Sequence, residues 1–93
     1  MSDSILQKDK RCYVCGTTSG LHCHHVFYGT GNRWNSEKYG FKVYLCARHH
    51  NASDAGVHFN KALDLKIKRA CQAKFEETHT REEFMGIIGK NYL

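Results

Sequence analysis

Two short clasps of metal-binding residues constrain this chain more than anything else in it: Cys12-Tyr13-Val14-Cys15 and Cys46-Ala47-Arg48-His49. Each places two soft or borderline donors three positions apart. A structural zinc ion asks for four such donors in a tetrahedron, and two clasps from separate parts of a chain are the usual way to supply them. Gly16 follows the first clasp and allows the left-handed backbone that a tight turn often needs. The chain has five cysteines, an odd number, so disulfide pairing would leave one over. Cys71 lies on an apolar helical stripe and reads as a core thiol. Cys23 belongs to neither clasp and remains a candidate substitute for one ligand.

A chain of 93 residues makes one domain, and a domain of that size often needs a metal or another staple beside its modest core. Residues 1–10 read as a polar, loosely held lead-in, and 11–93 as a single domain with a core at 11–58 and a helical extension at 59–93. The first ten residues lack the apolar segment of a signal peptide, and no apolar run is long enough to span a bilayer. The expectation is an intracellular, cytoplasmic, reducing setting with no membrane partner, where cysteines serve metals before disulfides.

Leu21 to Tyr28 reads as a strand between Gly20 and Gly29, followed by a loop from Gly29 to Asn35. Ser36 to Tyr39 suits a single helical turn closed by Gly40. Phe41 to Leu45 reads as a second strand with Phe41, Val43 and Leu45 on one face. The stretch joining the strands is long for a hairpin, which marks it as functional. A helix starting near Cys46 would break across residues 51–56 and resume near Val57. From there Phe59, Leu63, Ile67, Cys71 and Phe75 recur at steps of four, the pattern of an amphipathic helix of about five turns. Thr80-Arg81-Glu82-Glu83 matches a capping box, with Phe84, Ile87 and Ile88 as the buried stripe of a last short helix and Gly89 as its stop. The fold class expected is α+β.

The histidines call for a separate account. In a helix begun near Cys46, His49 shares a face with Cys46, while His50 lies about 100° further round. One turn would then serve a zinc ion on one side and aim an imidazole at a second ion on the other. His22, His24 and His25 crowd the first strand. Hydrolysis of a phosphodiester by a divalent ion needs a few imidazoles or carboxylates on the ion and a general base with a pKa near 7, which histidine supplies unmodified. His24 and His50 suit the metal, and His25 the proton of water. Strand alternation sends His24 and His25 to opposite faces, so both can serve one site only where the strand ends or bulges.

Three segments carry a resemblance to a known family: Cys12-x-x-Cys15-Gly16, then Leu21-His22-Cys23-His24-His25-Val26-Phe27, then Val43-Tyr44-Leu45-Cys46-Ala47-Arg48-His49-His50. From Cys12 to about His58 the chain resembles the HNH endonucleases, and among them the small phage and prophage members. The resemblance implies a zinc-stapled ββα-metal core, a two-stranded hairpin plus a helix, with the C-terminal helices appended. It implies a structural zinc on Cys12, Cys15, Cys46 and His49, the last standing where many members have cysteine. It also implies a catalytic divalent ion, Mg²⁺, Mn²⁺, Ni²⁺ or Zn²⁺, on His24 and His50, with His25 as general base. Asp54, His58 or water would complete that ion's ligands. The family's central asparagine, which orients the segment carrying the base, has no counterpart between residues 36 and 45; Asn32 and Asn35 are the candidates, and Asn35 is nearer.

DNA is the partner implied. The net charge of +5 suits a polyanion, and Arg33, Trp34 and Lys38 are candidates to meet phosphate and sugar, although a solvated loop with a packed tryptophan fits them equally. Lys66, Lys68, Arg69 and Lys74 read as a solvated helix face. A homodimer would suit double-strand cutting, since one small site cuts one strand. The same residues also fit a second reading, a non-catalytic zinc module that binds DNA or a protein partner.

Overall fold

The computed structural model describes residues 4–29, 31–50, 56 and 60–93. It is α+β, in the order β1 (Leu21–His25), α1 (Asn32–Tyr39), β2 (Lys42–Cys46), α2 (Ala47–His50), α3 (Lys61–Phe75) and α4 (Arg81–Ile88). Among the described residues the strands form one antiparallel pair, with His25 opposite Lys42, His24 opposite Val43 and Leu21 opposite Cys46. Val43 and Leu45 of β2, and Phe41 just before it, are fully buried. The outer edge of β2 is covered. The Tyr44 N–H donates to the Gln7 side chain at 2.7 Å, and the Tyr44 carbonyl accepts from the Tyr13 N–H at 2.8 Å. Ser4 and Ile5 also bond across to Lys42 and Gly40, so residues 4–7 of the lead-in lie against the strand.

Behind the sheet four phenylalanines make the centre of the core. Phe27, Phe41, Phe75 and Phe84 meet ring to ring with centroids 5.3–6.0 Å apart, mostly edge to face or tilted, as aromatic quadrupoles prefer. The α3 stripe delivers Ile67, Cys71 and Phe75 into this core, with Leu63 beside it. This helix starts at Lys61, where the Asn60 side chain accepts from the Leu63 N–H at 3.1 Å. It is thus shorter than expected at its start; Val57 and Phe59 lie outside the described residues. Lys68 is not on a solvated face. It pairs with Asp64 at 2.8 Å and lies over the Tyr28 ring at 4.6 Å. Helix α4 has both hydrogen bonds of the capping box between Thr80 and Glu83, and Gly89 closes it at φ 89°.

Two further elements differ from the sequence expectation, for one physical reason. The first strand stops at His25, not Tyr28, and residues 32–35 are helix, not loop. Both follow from long-range hydrogen bonds. The buried Ser36 hydroxyl donates to the Phe27 carbonyl at 2.5 Å and accepts from its N–H at 3.1 Å, which takes Phe27 off the sheet. The Asn32 and Asn35 amides donate to the Ile88 and Ile87 carbonyls, at 3.2 and 2.9 Å. They hold α1 against the C-terminal end of α4, whose last carbonyls need donors.

Replacing Phe84 by alanine should cost about 3–5 kcal/mol, the usual loss for a buried phenylalanine, while Thr80→Ala should cost only about 1 kcal/mol as a lost cap. Urea unfolding of the zinc-loaded protein measures both. Equal losses for the two would contradict a core centred on the phenylalanine cluster.

Candidate functional site

The four residues of the two clasps come together. Cys12, Cys15, Cys46 and His49 each offer a donor atom, and all four atoms lie within 4.8 Å of one another. Cys15 Sγ is 3.8 Å from Cys46 Sγ, and His49 Nδ1 is 3.7 Å from Cys12 Sγ and 3.3 Å from Cys46 Sγ. Zinc distances of about 2.3 Å to sulfur and 2.0–2.1 Å to nitrogen predict such gaps: at the tetrahedral angle two sulfurs stand about 3.8 Å apart, and a sulfur and a nitrogen about 3.5 Å. The cluster fits a metal ion such as zinc in donor type, number and spacing. Local structure explains why. The Cys12 carbonyl accepts from the Gly16 N–H, Gly16 takes φ 79°, and the first clasp folds into one turn. Cys46 ends β2 and His49 is on the turn that follows. Burial would push the Cys12 thiol up, but backbone hydrogen bonds at Cys15, Cys46 and Val14 outweigh it and bring the pKa down to about 6. A thiolate at neutral pH is the form that ligates metal. Cys71 is different: buried without such donors, its thiol is pushed far up. None of the five cysteines forms a disulfide.

The other side of α2 faces the first strand. His50 Nδ1 is 2.9 Å from His22 Nδ1, and the His50 ring centroid is 5.3 Å from that of His24. His22 and His24 share one face of β1 by alternation, and His24 is only 3% exposed. Two imidazole nitrogens at 2.9 Å share either a proton or a cation. The cysteine cluster is, among the described residues, the one set of three or more such donors that closes within 4.8 Å; the histidine set is looser. Asp54 and His58 lie outside the described residues.

His25 projects from the opposite face of β1, beside Lys42 across the ladder. Its Nε2 meets Glu37 Oε2 at 2.8 Å, and the Lys42 ammonium sits 3.3 Å from the same carboxylate. The hydrogen bond to His25, helped by Lys42, holds the Glu37 carboxyl below its ordinary range. His24 and His25, the last two residues of β1, nevertheless both line one open pocket of about 220 Å³, together with Cys23, Tyr28, Arg33 and His50.

Helix α1 sorts the remaining candidates by face. Arg33 lines the pocket, one turn before Glu37. Trp34 is 66% exposed and Lys38 is exposed too, its ammonium 5.4 Å from the Tyr39 ring centroid. Asn35 faces α4 and does not line the pocket; Ser36 is the side chain that fastens the backbone just beyond His25. Sequence reasoning passed over Glu37, His22 as a neighbour of His50, and the pocket wall of Tyr28 and Cys23. Reading the helix from Asn32 would have exposed Glu37, since it falls one turn after Arg33.

The chain matches no known family, no curated protein and no solved structure.

One zinc should bind with three sulfur ligands and one nitrogen, a set that X-ray absorption at the zinc edge resolves. Structural zinc is worth about 10–16 kcal/mol in small modules, so Cys46→Ser or a strong chelator should leave the protein largely unfolded by circular dichroism. A Cys46→Ser variant with full helicity and unchanged melting temperature would remove the ion from the fold.

Proposed function

We propose that this protein is a metal-dependent DNA endonuclease of the HNH type, with β1, β2 and α2 as a ββα-metal core. One observation carries the reading: the single turn α2 sends His49 into the cysteine cluster and His50 to the histidines of β1, beside the pocket that His24 and His25 share. A zinc module that only binds has no need for a second group of imidazoles next to an open pocket. Exposed Trp34 and Lys38, with Arg33 at the rim, give a nucleic-acid backbone something to meet.

The residues divide the chemistry between them. His24 and His50 would hold a divalent ion, His22 is close enough to His50 to join them, and Asp54, His58 or water would complete the set. Such an ion supplies positive charge beside the phosphate and the leaving oxygen. His25 accepts the proton of the water whose oxygen attacks phosphorus. The bond from phosphorus to the leaving sugar oxygen breaks, and that oxygen takes a proton from solvent. Arg33 balances charge on the phosphate from the pocket rim. Cys46 and His49 keep α2 in place through the zinc cluster and take no part in the reaction.

His25→Ala should leave folding and metal content intact and slow plasmid cleavage by roughly 10² to 10⁴, the usual worth of a general base. His50→Ala should lose the second ion and the activity while the zinc stays bound. Metal analysis and plasmid cleavage on the same preparations separate the two. Wild-type protein that cuts no DNA with Mg²⁺, Mn²⁺, Ni²⁺, Co²⁺ or Zn²⁺, or a His25→Ala variant that cuts as well as wild type, would leave the non-catalytic zinc module as the better account.

A further inference from the structure

We infer that Glu37 is a positioning residue for His25: its carboxylate accepts from His25 Nε2–H, fixes the imidazole in that tautomer, and leaves Nδ1 as the nitrogen that takes a proton. The inference rests on the nuclease reading for its effect on kcat, but not for its spectroscopic test.

The geometry begins with the sheet. His25 and Lys42 are directly opposed in the antiparallel ladder and share a face. Glu37 sits on the last turn of α1 and reaches both. Its carboxylate is 2.8 Å from His25 Nε2 and 3.3 Å from the Lys42 ammonium. The His25 side chain is 17% exposed, Glu37 25% and Lys42 8%, so water competes only in part for these contacts. With Lys42 beside it and His25 against it, Glu37 is ionised at neutral pH, its carboxyl held below the ordinary range. An ionised carboxylate has no hydrogen to donate. The hydrogen in the 2.8 Å contact therefore belongs to Nε2. A neutral imidazole carries one ring hydrogen, so its lone pair is on Nδ1.

The placement of α1 is what makes the contact dependable. Asn32 and Asn35 bind the end of α4, and Ser36 binds Phe27 on both its N–H and its carbonyl. Glu37 follows Ser36 directly, so the carboxylate and the segment after His25 are positioned by the same residue pair. An unheld imidazole would divide between two tautomers and several ring rotations, and only part of that population would present a lone pair to water. A carboxylate on the far nitrogen selects one tautomer and stabilises the imidazolium that forms, the logic of an acid–histidine pair in hydrolytic enzymes.

Long-range proton–nitrogen correlation spectra of the ¹⁵N-labelled, zinc-loaded protein report which nitrogen of His25 carries hydrogen. His25→Gln identifies the signals. The expected result is Nε2–H in wild type, and a mixture of both tautomers in Glu37→Ala with the other histidine signals in place. On DNA, Glu37→Gln should lower kcat by about 10²-fold with KM little changed, because an amide offers a donor and an acceptor equally and no charge. A merely structural Glu37 would move the melting temperature without moving the tautomer. Nδ1–H in wild type, an unaltered tautomer in Glu37→Ala, or an unaltered kcat in Glu37→Gln would each overturn the inference. If Glu37→Ala fails to fold, the wild-type spectrum decides alone. Wild-type protein that shows the Nε2–H tautomer yet cuts no DNA would overturn the nuclease reading and leave the Glu37–His25 pairing standing.

Discussion

Three sulfurs and one imidazole gathered within 4.8 Å join the turn at Cys12–Gly16 to the end of β2 and the turn after it, and much else in the molecule hangs on that junction. The first clasp has no helix or strand of its own to hold it. Its Cys12 N–H bonds to Thr17, and Tyr13 bonds to the outer edge of β2. The second clasp caps the sheet and starts α2. A helix of four residues is far below the length at which helices stand alone, so α2 depends on its surroundings for its shape. An ion held by His49 and the three cysteines would supply that support and so fix the direction of His50.

The arrangement makes economical use of helical geometry. Consecutive residues on a helix diverge by about 100°, so His49 and His50 cannot face the same way. One is committed to the cysteine cluster and the other to the histidines of β1. The end of β1 produces the complementary effect. Within a strand His24 and His25 face opposite sides, yet where the strand stops both border one pocket. Ser36 brings about that stop by taking the backbone groups of Phe27 away from the sheet. The buried phenylalanine cluster then gives α1, α3 and α4 a common floor, and α1 in turn brings Arg33 to the pocket and Glu37 to His25.

Much of this was legible in the sequence, and the division follows the range of the interactions. The two clasps, the alternation of β2, the α3 stripe and the Thr80–Glu83 capping box depend on contacts a few residues apart or on a strict period, and each appears in the structure. The helical state of residues 32–35 depends on the carbonyls of Ile87 and Ile88, more than fifty positions away, and composition there suggested a loop. Lys68 was read as solvated because charge alone does not show that Tyr28 and Asp64 will surround it. In the candidate site, His24, His25 and His50 stood out by type and crowding. Glu37 did not, since a glutamate in a polar stretch carries no signal until a helix and a cross-strand pair bring it to an imidazole.

An anomalous-scattering map of the protein crystallised with Mn²⁺, Co²⁺ or Ni²⁺ and one equivalent of zinc tests the account most directly. It predicts two separate peaks for each chain: zinc among Cys12, Cys15, Cys46 and His49, and the second metal between His24 and His50. A single peak in the cysteine cluster, with the β1 histidines bonded only to each other, would contradict it.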